Sequence, residues 1–180
     1  MESLQVVNEA GQTVGTIGKT AAHQSGGILH RAVSVFVFDE ANKLLLQRRA
    51  ATKYHFAEMW ANSCCSHPLV NETPMAAARR AARNELRIEP SLSEIATVIY
   101  SAHDPMSDLT EQEYDHIFAG QWSGRVKPNP LEVNGIRWVT ASDLRDDLEK
   151  HPGRFAPWLS IILDDVLAKG GDNPLVRFWA

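Results

Sequence analysis

The chain has 180 residues, with 18 Lys and Arg against 22 Asp and Glu, for a formal net charge of −4 when histidine is neutral. Apolar residues make up 44% and charged residues 22%, the balance of an ordinary globular protein, and this length favours one domain spanning residues 1–180 with a core that needs no staples. Mild acidity argues against non-specific nucleic-acid binding, and no apolar run reaches the roughly 18 residues of a membrane-spanning helix.

Taken in chain order, residues 4–18 read as a hairpin within an N-terminal segment 1–20, turning at Asn8-Glu-Ala-Gly11. Gly26-Gly27 marks a loop, and the run Ala32-Val-Ser-Val-Phe-Val-Phe38 is β-branched and aromatic enough for a buried strand. A turn at residues 39–42 returns the chain as Lys43-Leu-Leu-Leu-Gln47, a second strand. Thr73 before Pro74 offers a cap and a first-turn proline, and Met75, Ala78, Ala82 and Leu86 then recur at helical spacing. Further strands are expected at residues 95–100, 114–122 and 136–139, with further helices at 142–150 and 157–169. Three helices spread among mixed strands predict an α+β sandwich-like domain, because the alternation is too irregular for a doubly wound sheet.

Cys64 and Cys65 are the only cysteines. Neighbouring Cα atoms lie about 3.8 Å apart, below the roughly 4.4–6.8 Å of a relaxed disulfide, so the two do not pair readily with each other. A reducing, cytoplasmic setting is expected, consistent with the lack of a basic-then-apolar leader at residues 1–10. Each cysteine is therefore buried, reactive or metal-bound.

His23 and His30 flank the Gly26-Gly27 loop, Cys65 and His67 are one residue apart, and so are Glu111 and Glu113. In extended chain such pairs face one way. Two carboxylates on one face repel unless a cation, a proton or basic side chains compensate. Three imidazoles and two carboxylates make a five-ligand site with an open position, suited to Mg²⁺, Mn²⁺ or Zn²⁺. Each residue also has an ordinary reading: a lone loop histidine usually sits at the surface, and a Glu-x-Glu pair is usually solvated. The Cys-Cys-x-His cluster equally resembles half of a structural zinc site, although no second CxxC or HxxxH completes it.

Residues 66–88 are more specific. Ser66, Glu72, Arg80, Ala81, Asn84, Glu85, Arg87 and Ile88 fall at the spacing of the Nudix box, Gly-x5-Glu-x7-Arg-Glu-U-x-Glu-Glu-x-Gly-U with U a bulky aliphatic. That box is a loop–helix–loop whose carboxylates hold Mg²⁺ against a diphosphate. Here Glu72, Arg80 and Glu85 match, whereas Ala81 and Asn84 replace two glutamates and Ser66 and Arg87 replace both glycines. The resemblance implies a retained scaffold with a depleted hydrolytic centre.

Four further stretches stand in register: Leu29-His-Arg-Ala-Val-Ser-Val-Phe36, Lys43-Leu-Leu-Leu-Gln-Arg-Arg49, Asn62-Ser-Cys-Cys-Ser-His-Pro68 and Glu111-Gln-Glu-Tyr-Asp115. Together they resemble type I isopentenyl-diphosphate isomerase, across about residues 16–158. The resemblance implies a Nudix-like α/β/α sandwich with a mixed sheet, and interconversion of isopentenyl and dimethylallyl diphosphate for isoprenoid biosynthesis. It implies Cys65 and Glu113 as the proton-transfer pair, Tyr100 as an aid to the carboxyl group, and Trp158 as the aromatic facing a carbocation. Metal ligands carry over as His23, His30, His67, Glu111 and Glu113. Lys19, Arg49 and Lys53 take the diphosphate, with Glu85 holding a second ion, Mg²⁺, against it. Arg31, Arg48, Arg80 and Arg83 are read as solvated or salt-bridging. Two competing readings are a Nudix pyrophosphohydrolase, which Ala81 and Asn84 disfavour, and a non-catalytic metal-binding module.

Overall fold

The computed structural model describes residues 3–180; Met1 and Glu2, which belong to the expected N-terminal segment and the leader reading, lie outside them. The chain opens as an antiparallel ribbon, β1 (Ser3–Val7) with β2 (Thr13–Gly18), as the hairpin pattern anticipates. One helical turn, α1 (Lys19–His23), follows where no helix was expected. It is too short to announce itself by periodicity.

The centre is β3 (His30–Phe38), nearly continuous in burial. It pairs parallel with β8 (Leu109–Gln121) from His30↔Glu113 to Phe38↔Gln121, and antiparallel with the short β6 (Cys64–Ser66). β4 (Leu44–Arg49) pairs with β5 (Trp60–Ala61) and β9 (Val133–Val139), and β7 (Ser91–Asp104) forms a long hairpin with β8. The expected strands at 95–100 and 114–122 are thus each longer, and Glu111 and Glu113 lie within a strand rather than just before one. β5 and β6 were unforeseen because two or three residues carry no readable alternation.

Helices cover both faces. α2 (Pro74–Ala81) starts at Thr73, whose side chain accepts the Ala76 N–H, and continues as one π-helical turn, Ala82–Leu86. Its alanines meet Val33, Val35 and Val37, allowing close approach of helix and sheet. The opposite face carries Phe36, Phe38, Leu46 and Ile117 under α4 (Pro157–Lys169), flanked by α3 (Ala141–Lys150) and α5 (Pro174–Trp179). α3 begins one residue before the expected position because Thr140 and Asp143 form a reciprocal capping box. The result is the expected α/β/α sandwich on a mixed sheet. Among the described residues no helix is long and apolar enough to cross a membrane.

Candidate active site

Strand alternation and register build the site. The face of β3 bearing His30, Ser34 and Phe36 is continuous with the face of β8 bearing Glu111, Glu113 and Asp115, because paired residues share a face and His30 stands opposite Glu113. β7 adds Tyr100 opposite Glu113, and β6 adds Cys65 opposite Ser34. Cys64 points the other way into the core beneath α2, so the adjacent cysteines serve different layers and both remain free thiols.

One ligand atom from each of His23, His30, His67, Glu111 and Glu113 converges so that all five lie within 4.8 Å of one another, every residue buried. His23 Nδ1 lies 2.6 Å from the Lys19 carbonyl and His30 Nδ1 2.7 Å from the Ile28 carbonyl. A carbonyl only accepts, so both Nδ1 atoms carry the proton and leave Nε2 as a lone pair. Those two Nε2 atoms and Glu111 Oε2 are buried without a hydrogen bond, and His23 Nε2 stands 2.8 Å from Glu111 Oε2. Lone pairs so close repel unless a cation lies between them. The residues therefore fit a divalent metal.

The electrostatics divide the two imidazoles: burial works to lower His23, but the Glu111 carboxylate beside it outweighs burial and raises it. Burial, with His67 alongside, pushes the His30 imidazole down to about 3, which keeps it a neutral donor. Burial works to raise the Glu111 carboxyl, but the His23 and His55 imidazoles beside it outweigh burial and hold it well below the usual carboxylate range. Glu113 goes the other way, raised by burial and by the Glu111 charge. Tyr100 donates its hydroxyl proton to Glu113 Oε2, while His67 Nε2 stands 2.8 Å from Oε1. The Gly26-Gly27 loop makes the approach possible: Gly27 has φ +81°, and a Cβ there would sit 2.9 Å from the Thr110 carbonyl.

Beside this cluster opens a pocket of about 230 Å³ whose wall includes Cys65, Tyr100, Glu113 and Trp158. The Cys65 thiol is raised by burial first and by the Asp115 charge second, so it keeps its proton. Its sulfur lies 3.2 Å from Asn62 Oδ1 and 3.5 Å from Ser34 Oγ, and Ser34 in turn donates to Asp115 Oδ2 at 2.7 Å. The Trp158 indole is held by Asn62, by an edge-on Phe56 with centroids 5.2 Å apart, and by the Arg49 guanidinium 5.2 Å from the ring centroid.

The lining is also cationic. Lys19, Arg49 and Lys53 all reach it, together with Glu85. Lys53 pairs with Glu132 and stands 3.9 Å from Glu85 Oε1, and Gln47 donates to Glu85 Oε2 at 2.7 Å. Burial raises Glu85, with Lys53 and Gln47 pulling it back. Arg49 is more deeply placed than a surface cation, giving hydrogen bonds to the carbonyls of His55 and Phe56.

Residues of the box divide cleanly. Arg80 grips both oxygens of Glu72 at 2.9 and 2.7 Å, and also donates to Ser66 Oγ and the His67 carbonyl, so this pair braces the loop that presents His67. Ala81 and Asn84 face the pocket where the box would place carboxylates. Arg87 occupies a left-handed backbone conformation, φ 56° and ψ 42°, at the position of the box's second glycine. Arg31, Arg48 and Arg83 are engaged with Gln5 and His116, Glu58 and Glu89 respectively, as structural residues.

Sequence reasoning missed four polar residues here. His55 packs against Glu111, and Asn62, Ser34 and Asp115 surround the thiol. Asp115 follows Glu113 by two positions on one strand, a spacing that could have flagged it. Ser34 and Asn62 lie inside the stretches that carry the family resemblance, which could have flagged them too, whereas His55 had no such signal.

The chain matches the NUDIX domain model over residues 28–159. It is 49% identical over 162 residues to the isopentenyl-diphosphate Delta-isomerase of Streptomyces griseus, covering 89% of this chain and 81% of that one. The protein of the same name from Serratia proteamaculans is 38% identical over 179 residues, covering 99% and 96%. Among solved structures, a protein of Deinococcus radiodurans superposes with a TM-score of 0.69 at 24% identity, covering 83% of this chain and 90% of that one. The MutT protein of Methanosarcina mazei gives 0.65 at 14%, covering 80% and 96%.

Proposed function

Because the chain belongs to the isopentenyl-diphosphate Delta-isomerases, a family built on the NUDIX domain, we propose that its pocket carries out the isomerisation by proton exchange between Cys65 and Glu113. The enzyme interconverts isopentenyl and dimethylallyl diphosphate. One proton is added at the terminal methylene carbon, a tertiary carbocation forms, and one proton leaves the carbon on the other side of it. By microscopic reversibility the group that protonates in one direction deprotonates in the other, so the thiol and the carboxyl each serve as acid and as base.

An alkene is a very weak base, so the acid works in a site shielded from water, and the cation is protected until it loses its proton. Trp158 offers an electron-rich face to that cation, and Tyr100 shares a proton with Glu113. His23, His30, His67, Glu111 and Glu113 would hold a divalent ion, for which the donor set suits Mg²⁺, Mn²⁺ or Zn²⁺, and such an ion would supply positive charge beside Glu113 and its shared proton. Lys19, Arg49 and Lys53 bind the diphosphate, and Glu85 would hold a second ion, Mg²⁺, that would supply further positive charge to it.

The observation that carries this reading is that Cys65, Glu113, Tyr100 and Trp158 line one pocket together with the cations Lys19, Arg49 and Lys53. Purified protein given labelled isopentenyl diphosphate and Mg²⁺ should form dimethylallyl diphosphate without releasing phosphate. Cys65→Ala should lower turnover by about 10²–10⁴-fold, the range of a positioned acid or base, at an unchanged melting temperature. Undiminished turnover in that variant would end the assignment of Cys65.

A further inference from the structure

Asn62 is fully buried just ahead of β6, and its carboxamide has every polar position engaged. Nδ2 donates to the carbonyls of Val35 and Cys64, each at 3.1 Å. Oδ1 accepts from Trp158 Nε1 at 3.0 Å and from Cys65 Sγ at 3.2 Å. The orientation is dictated by chemistry: an indole N–H only donates and a backbone carbonyl only accepts, so a flipped amide would face donor with donor and acceptor with acceptor. Ser34, the other neighbour of the sulfur, commits its hydrogen to Asp115 and can only accept from the thiol. The thiol thus has two acceptors and one hydrogen, and the nearer acceptor, Asn62 Oδ1 at 3.2 Å against 3.5 Å for Ser34 Oγ, takes it. The same oxygen sets the pitch of the indole.

We propose that Asn62 is a positioning residue that locks the proton-bearing thiol of Cys65 and the cation-facing ring of Trp158 into one fixed relation through a single carboxamide oxygen. It acts through those two side chains rather than by touching substrate. The inference rests on the assignment of Cys65 and Trp158 above. Its physical basis is that three rigid partners hold the amide: β3 through Val35, β6 through Cys64 and α4 through Trp158. Once the amide is gone, the indole is free to tilt and the thiol to turn toward Ser34. Misplacement of about 1 Å at a reacting group can cost roughly 10²-fold in rate.

The test compares Asn62→Leu, which keeps the branched shape and removes the hydrogen bonds, with the smaller Asn62→Ser. Turnover is measured alongside binding of two diphosphate probes: an ammonium analogue whose protonated nitrogen replaces the cationic carbon, and neutral isopentyl diphosphate. Both variants should lose about 10²-fold in kcat with KM changed less than about threefold, and should lose about tenfold more affinity for the ammonium probe than for the neutral one. Adding Trp158→Phe to Asn62→Leu should cost little further, because the contact is already broken. Equal weakening of the two probes, a loss confined to KM, or fully additive double variants would overturn the proposal. Should Asn62→Leu fail to fold, the same criteria applied to Asn62→Ser decide it. Retained turnover in Cys65→Ala would refute the underlying assignment instead, so the two failures are distinguishable.

Discussion

Replacing Trp158 with leucine separates its role in the core from its role toward the substrate. The indole is 2% exposed, receives the edge of Phe56 and donates to Asn62. The aromatic pair is worth about 0.5–1.5 kcal/mol and the hydrogen bond about the same, so roughly 1–3 kcal/mol of stability should be lost. For a chain of this length each kcal/mol shifts the melting temperature by about 2–4 °C, giving a fall of about 2–12 °C. Assayed at 20 °C the variant stays folded. A cation over a desolvated indole gains about 2 kcal/mol or more, which at about 1.36 kcal/mol per decade means a loss of roughly 30-fold or more in kcat. KM should change much less than kcat, because of the three diphosphate cations only Arg49 stacks on the indole, while Lys19 lies over Tyr54 and Lys53 pairs with Glu132. Trp158→Phe, which retains a π face, should fall between the two. A leucine variant with kcat within about threefold of the parent, or one whose only change is in KM, would refute the reasoning.

Gly27→Val should weaken metal binding, measured by equilibrium dialysis, because φ +81° and a Cβ 2.9 Å from the Thr110 carbonyl force apart the loop before His30 and the strand bearing Glu111. Arg87→Gly should raise the melting temperature by about 1–4 °C: relief of a left-handed conformation, about 1–2 kcal/mol, exceeds the added backbone entropy of glycine, about 0.5–1 kcal/mol. The Arg80 hydrogen bonds hold the Glu72 carboxyl below its ordinary value, so the stability that pair contributes is present at neutral pH and lost as pH falls through the depressed value. The melting-temperature gap between the parent and Glu72→Gln should accordingly be flat from pH 7 to about 5 and close below the ordinary glutamate value of about 4.3; a gap independent of pH down to 3 would contradict it.

Much of the site was legible as pairs one residue apart. Glu111 with Glu113, Cys65 with His67, and the opposed Cys64 and Cys65 follow from strand alternation alone, and the residue types announce an acid, a base and metal donors. The buried run that became β3, the capped start of α2 and the spacing of Glu72 to Arg80 were likewise local patterns with local causes. What tertiary structure decided was who meets whom. His30 faces Glu113 only because β3 and β8, about eighty residues apart, pair in parallel at one register out of many. Cys65 finds Ser34, Asn62 finds Trp158 and His55 finds Glu111 by the same closure. Backbone sterics and side-chain polarity act within a few residues and so are written along the chain. Register and layer packing are set by burying the whole core at once, and no short stretch carries that information.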